Sequence, residues 1–256
     1  MANNTLLITF GCSWTYGVGV NYQPHMNKEV FEKDAWSSEI CDQLSWRGVL
    51  GRQFNLTNIN FSSAGSSNQR QFRLAREFFP TNKFKQLQTQ FDRIIVLWGI
   101  TSTSRNEIYS IKDRSITNIY YHQENELSKF FLLNCYSHRH EVSELCQHMT
   151  FWEDYFSLLN VENYWFDTLN THNYNIVVDT KPLHILDAGK QPRDLMSWLC
   201  QESGMTLNPD SYDWENDAGR VDYLKLKNII NPISMHPTQQ SHEKLADYFS
   251  ERIKFN

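Results

Sequence analysis

The chain reads as an α/β protein built on a parallel sheet with helices on both faces. Three observations predict this. Short strand-like runs, Leu6–Phe10, Asn58–Phe61 and Arg93–Trp98, are separated by longer stretches of helical periodicity. The first and third are nearly continuous apolar runs, as expected of strands covered on both faces. Each run is followed by Gly, Ser or Thr, at 11–13, 62–65 and 99–101. Open α/β sheets build their sites just beyond the carboxyl ends of such strands.

In chain order, the apolar run to Phe10 stops at Gly11, where a side chain would obstruct a sharp turn. Ser13 is thereby presented just past the strand, either as a reactive hydroxyl or as a helix cap. The polar stretch Val18–Ser38 reads as a surface loop or small excursion. Trp46–Phe54 has Trp46, Val49, Leu50 and Phe54 at helical spacing. After the second strand, the small residues Ser62–Asn68 lead into a helix whose apolar face is Phe72, Ala75 and Phe79. Arg70, Arg73 and Arg76 on that helix read as a solvated face before an anion site. Arg93–Trp98 is the clearest third strand and ends at Gly99. Residues 108–140 have weak periodicity and read as an insertion or lid over the sheet edge. Val142–Leu169 is helical, with a break near Asn160, and Asn173–Asp179 is a fourth strand. Gln191–Cys200 is helical, with Pro192 tolerated in the first turn. Asn208–Asp222, with Asp210, Asp213, Glu215, Asp217 and Asp222, reads as an acidic loop. Thr238–Ile253 closes the chain as an amphipathic helix with Leu245, Phe249 and Ile253 four apart.

With 256 residues the expectation is one domain, 1–256, carrying the 108–140 insertion. A net charge of -5 argues against general nucleic-acid or membrane-surface binding, which needs concentrated positive charge. The five cysteines, Cys12, Cys41, Cys135, Cys146 and Cys200, form no CxxC pair, so neither a disulfide framework nor a zinc knuckle is indicated. The start lacks the basic, long apolar pattern of a signal peptide. No apolar run approaches the roughly 20 residues that span a bilayer. A cytoplasmic location is the expectation. His138, His140 and His148 lack a convincing metal spacing and read as surface. His242 reads as packing in the closing helix.

A serine, a histidine and a few hydrogen-bond donors at one sheet edge are the parts of acyl transfer. The serine needs a base to take its proton, and the tetrahedral oxyanion needs preorganised donors. His236-Pro237, just before the last helix, could bring an imidazole to the edge where Ser13 sits. Backbone N–H groups at Ser13 and Gly65 and the Thr101 hydroxyl are candidate donors.

With these blocks in this order, the chain resembles the SGNH (GDSL-like) hydrolase family, as a divergent branch. Gly11-Cys12-Ser13 with Thr15 and Gly17 looks like the first block, and Asn60–Gly65 followed by Asn68 like the second. Trp98-Gly99-Ile100-Thr101 looks like the third, and His236-Pro237 like the fourth. The resemblance implies a flavodoxin-like three-layer α/β/α fold and ester hydrolysis through an acyl-enzyme, with no metal or organic cofactor. It implies Ser13 as nucleophile, His236 as general base, and an oxyanion hole of Ser13, Gly65 and either Thr101 or Asn68. Trp14 and Arg105 are candidate substrate contacts. Arg105 either pairs with Glu107 or binds an anionic substrate group.

The chain departs from the family's pattern in three places. Cys12 stands for Asp and reads as a small buried residue. Thr101 stands for the oxyanion-hole Asn, and a threonine hydroxyl is shorter. Ile233 stands three before His236 where the family has Asp, and Ser234 two before, so the imidazole lacks its usual acid. A dyad is favoured over a carboxylate brought in from Asp213, Asp217 or Asp222. The expected substrate is a small acyl ester, such as an O-acetyl group on a carbohydrate, because aromatics are plentiful enough to stack on sugar rings. The rival readings are an SGNH-fold binding or structural protein that has lost turnover, and a lipid-acyl hydrolase with an apolar groove from 108–170.

Overall fold

The computed structural model describes residues 4–111, 114–119, 125–172, 174, 183–190, 193–207 and 218–255. The elements in chain order are β1 (Thr5–Phe10), α1 (Ser13–Tyr16), α2 (Lys28–Asp34), α3 (Ser38–Leu44), α4 (Trp46–Phe54), β2 (Thr57–Asn60), α5 (Asn68–Phe78), α6 (Asn82–Gln90) and β3 (Arg93–Ile100). Then come β4 (Asn106–Ser110), β5 (Ser115–Ile119), α7 (Glu126–Asn134), α8 (His138–Leu159), β6 (Glu162–Asp167), α9 (Leu195–Glu202), α10 (Ala218–Leu226) and α11 (Gln239–Arg252).

Among the described residues the main sheet is parallel, in the order β2-β1-β3-β6. Ile185 adds a parallel bridge to Trp165 at the β6 edge. Successive side chains on a strand point to opposite faces, and here both faces are covered. Leu6, Ile8 and Phe10 of β1 and Ile94, Val96 and Trp98 of β3 face α5, α6 and α8, where Phe72, Phe84, Met149, Trp152 and Phe156 meet them. Leu7, Ile95 and Leu97 face the other way, onto α4, α9 and α11, through Trp46, Leu50, Leu199, Leu245 and Phe249. The result is a three-layer α/β/α sandwich with a flavodoxin-like strand order. On the first face the rings of Phe61, Phe10, Trp98 and Trp165 stack across the strands at centroid distances of 5.0, 4.2 and 4.9 Å. Such pairs contribute about 0.5–1.5 kcal/mol each beyond burial. This aromatic row holds the carboxyl ends of the strands in register.

The structure revises several elements. The fourth strand is β6, inside the stretch expected to be helical. The α8 helix stops where Asn160 adopts φ 53°, ψ 43°, a left-handed cap that lets the chain reverse into the sheet. The expected strand at Asn173–Asp179 lies, apart from Tyr174, outside the described residues. The loop Val18–Ser38 contains α2, capped by the Asn27 side chain. β3 runs on through Gly99 to Ile100. The helix expected from Gln191 begins instead at Leu195, because the Asp194 carboxylate caps it through Ser197 N–H at 2.9 Å. Pro192, Asp210, Asp213, Glu215 and Asp217 lie outside the described residues. Asp222 sits on α10, exposed and bonded to Lys225. Within 108–140, β4 and β5 form an antiparallel hairpin, followed by α7.

Candidate active site

The strand order reverses between β1 and β3: β2 lies to one side of β1, and β3 and β6 to the other. Ligand crevices in open α/β sheets form at such switch points. Three loops leave the sheet there, after Phe10, Ile100 and Asp167, which their registers place side by side.

The first loop carries Ser13 at the start of α1. Gly11 and Gly99 are both required by Thr15. A Cβ would lie 2.1 Å from the Thr15 hydroxyl oxygen at Gly11 and 2.5 Å from it at Gly99. The end of α1 is held by the buried Arg47, whose Nε donates to Thr15 O (2.8 Å) and Nη2 to Tyr16 O (2.9 Å) and to Asp42 Oδ1 (3.1 Å). Burial pulls the Arg47 pKa down, and the Asp42 carboxylate works against that. Cys12 is fully buried, with its sulfur 3.8 Å from Thr168 Oγ1.

The second loop is a tight turn. Arg105 N–H donates to Ser102 O (3.2 Å), and the Ser102 and Ser104 hydroxyls are 2.7 Å apart. It delivers Arg105 toward the first loop. Arg105 does not pair with Glu107: that carboxylate is taken by Arg73, through Nε and Nη2, both at 3.0 Å. Arg73 therefore belongs to an ion pair rather than to a solvated face.

His236 comes from a turn before α11. Asn231, fully buried, organises it. Its Oδ1 accepts from Ser234 N–H (2.7 Å) and Ser234 Oγ–H (3.0 Å), and its Nδ2 donates to His236 O (3.1 Å). This turn is locked to the serine loop by Gly19, whose φ is +98°. A Cβ there would lie 2.6 Å from Asn231 Nδ2, 2.8 Å from Pro237 O and 2.9 Å from His236 Cβ. Burial is the main force lowering the His236 pKa, to about 4, with the Arg105 charge acting in the same sense. The Ser234 backbone favours the charged form. His236 Nδ1 is buried and has no hydrogen-bond partner among the described residues.

Ser13, Trp14, Arg105 and His236 line one cavity of about 430 Å³, with Ser102 and Asn170 and an apolar wall that includes Leu169, Met196 and Ile230. No carboxylate lines it among the described residues. The remaining candidates lie off its wall. Gly65 turns with φ 66°. The Thr101 hydroxyl is buried and unpartnered among the described residues. Asn68 acts as a clamp on the end of β3, with Oδ1 accepting from Thr101 N–H and Nδ2 donating to Thr101 O, both at 3.0 Å.

Sequence reasoning missed a buried carboxylate at the third loop. Asp167 accepts through Oδ1 from His172 Nδ1 (2.9 Å) and Tyr174 OH (2.6 Å), and through Oδ2 from His172 N–H (3.1 Å) and Arg193 Nε (3.0 Å). Burial alone would raise its pKa, but His172, Arg193 and the Tyr174 hydrogen bond outweigh that and hold it below the usual range. Asp167 is thus spent on tying the loop after β6 to the approach to α9. Its sequence signal was hidden by the helical reading of β6. The signal for Asn231 was its place before a proline, a turn-forming pair.

No family model matches the chain, and no curated protein matches it. Among solved structures it is similar to an esterase, EstA, from Pseudoalteromonas sp., at 13% identity and TM-score 0.45, over 98% of this chain and 97% of that one. It is also similar to a protein from Desulfitobacterium hafniense assigned to the lipolytic G-D-S-L family, at 13% identity and TM-score 0.43, over 98% and 100% of the two chains. A GDSL-like lipase structure from Parabacteroides merdae has 12% identity and TM-score 0.37, over 100% and 98%. At that identity the likeness fixes no residue's role. No helix among the described residues is long and apolar enough to cross a membrane.

Proposed function

We propose that the chain is a serine ester hydrolase. The observation that carries this reading is that Ser13 and His236, from opposite ends of the chain, open onto one cavity at the switch point of the sheet. In the proposed cycle, Ser13 Oγ attacks the ester carbonyl while His236 takes its proton. The imidazolium returns that proton to the departing alcohol, and water attacks the acyl-enzyme by the same route. A pKa near 4 leaves His236 neutral at pH 7, the form a general base requires. In this scheme the Ser13 backbone N–H, at the start of α1, is a donor to the developing oxyanion. No acid assists His236 in this scheme: Asp167 is committed elsewhere, and Asn231 and Ser234 hold the imidazole's turn instead. The enzyme works as a dyad and turns over slowly, since neutralising a triad acid costs about 10⁴ in rate in a serine protease.

The substrate we favour is a small acyl ester, such as an O-acetyl group on a carbohydrate. A longer aliphatic acyl chain is the second reading, favoured by the Leu169, Met196, Val221, Ile230 and Met235 wall. A fluorophosphonate probe and a series of 4-nitrophenyl esters from acetate to octanoate test both. Labelling confined to Ser13, lost in Ser13→Ala, is the expected result, and a rate maximum along the series selects the acyl length. Absence of labelling and of turnover would favour a binding protein on the same fold.

A further inference from the structure

Resting on the hydrolase reading, we infer that the substrate ester carries an acid group, carboxylate or phosphate, and that Arg105 binds it. Arg105 Nε and Nη1 are buried and meet no hydrogen-bond partner among the described residues. Arg105 as a whole is half-buried, but buried donors such as these two are ordinarily hydrogen-bonded, and leaving them unpaired is costly. The acid nearest in sequence, Glu107, is held at both oxygens by Arg73. The turn of Ser102, Ser104 and Arg105 fixes the backbone from which Arg105 projects, and Arg105 lines the cavity that Ser13 and His236 also line.

The cavity is thus a cationic spot on a chain of net charge -5. Its described lining offers no carboxylate to satisfy that cation, so an incoming anion would. At about 430 Å³ the cavity has the size of an ordinary small-molecule site, so one small ester could reach both Ser13 and Arg105. Arg105 would then set specificity, because esters without the acid leave its donors unpaired.

The test compares matched esters. On the alcohol side the set is phenyl acetate, 4-acetoxybenzoate and 4-acetoxyphenyl phosphate. On the acyl side it is 4-nitrophenyl butyrate and the mono-4-nitrophenyl ester of succinate. A hydrogen bond to a charged group corresponds to about a ten- to hundredfold effect, so kcat/KM for the anionic ester should exceed its neutral partner by that factor on at least one side. The ratio should fall to about one in Arg105→Gln and be partly kept in Arg105→Lys. A preference for 4-acetoxyphenyl phosphate over 4-acetoxybenzoate would identify the acid as phosphate, and the reverse as carboxylate. A wild-type ratio near one on both sides overturns the inference. So does an equal loss of kcat on neutral and anionic esters in Arg105→Gln, which would place Arg105 at the oxyanion.

Calorimetry with 4-acetamidobenzoate, an uncleaved amide, separates the two readings. Binding that needs Arg105, without labelling of Ser13 or turnover of any ester, would sink the hydrolase and keep the anion site. Labelling and turnover without any binding of 4-acetamidobenzoate or anionic preference would do the opposite.

Discussion

Lowering the pH from 7 toward 4 should destabilise the fold through histidines that it holds neutral. His242 is fully buried on α11, and its Nδ1 accepts from Trp46 N–H at the start of α4 (3.3 Å). Burial first, then the Arg47 and His236 charges, push its pKa from 6.5 to about 3. In the unfolded chain each histidine takes a proton near pH 6.5. Between that pH and the folded pKa the unfolded state binds more protons, so stability is lost as pH falls. Each such site contributes a slope of about 1.4 kcal/mol per pH unit, or roughly 3 kcal/mol between pH 6.5 and 4. His236, pushed down to about 4, acts the same way. So does His148, lowered chiefly by burial, while Glu141, raised chiefly by burial, acts in the opposite sense. The carboxylates held low, Asp167, Glu162 and Asp187, lose their contribution only as pH falls below the ordinary carboxylate range. His242→Gln isolates one site, because the amide oxygen can still accept from Trp46 N–H but cannot titrate. Urea unfolding of both proteins at intervals between pH 7 and 4.5 should give a wild-type slope steeper by about 1.4 kcal/mol per pH unit below about pH 6. Parallel slopes would show that His242 titrates normally in the folded chain, and the burial argument would fail.

Three further outcomes follow from the same geometry. If His236 is the base and burial lowers it, kcat/KM on a neutral ester should stay level from pH 7 down to about 5 and decline near the His236 pKa of about 4; an acid limb at 6.5 in protein shown to be folded would refute the lowering by burial, and an acid limb that persists unchanged in His236→Gln would exclude His236 as the base. Gly19→Ala puts a Cβ into Asn231 and His236 at a φ of +98°, so it should cost about 1–3 kcal/mol and lower kcat more than it changes KM; unchanged melting and turnover would refute the lock between the two loops. Asn68→Ala orphans the Thr101 N–H and C=O and should cost about 2–4 kcal/mol, whereas Thr101→Val removes a hydroxyl already without a partner among the described residues and should be neutral or stabilising; equal costs in chemical unfolding would contradict the clamp.

The sequence by itself determined the layers. Continuous apolar runs such as Leu6–Phe10 and Arg93–Trp98 can satisfy both faces only inside a covered sheet. Helical spacing in α4, α5 and α11 says which faces cover it, and these are local patterns. It also singled out Ser13, His236 and Arg105, because small residues after strands and an imidazole before a closing helix are local signals too. The β6 strand escaped local reading, because Tyr164, Trp165 and Phe166 suit a buried helix as well as a strand, and only the left-handed turn at Asn160 separates β6 from α8. Tertiary structure alone decided the pairings between distant loops. Arg73 rather than Arg105 takes Glu107 because α5 lies against β4. Asp167 is drawn to His172 and Arg193 by the loops that meet after β6. Gly19 touches the His236 turn only because β1 ends and α11 begins at the same edge. Such contacts depend on where whole elements sit, and charge or residue type along the chain does not encode that distance.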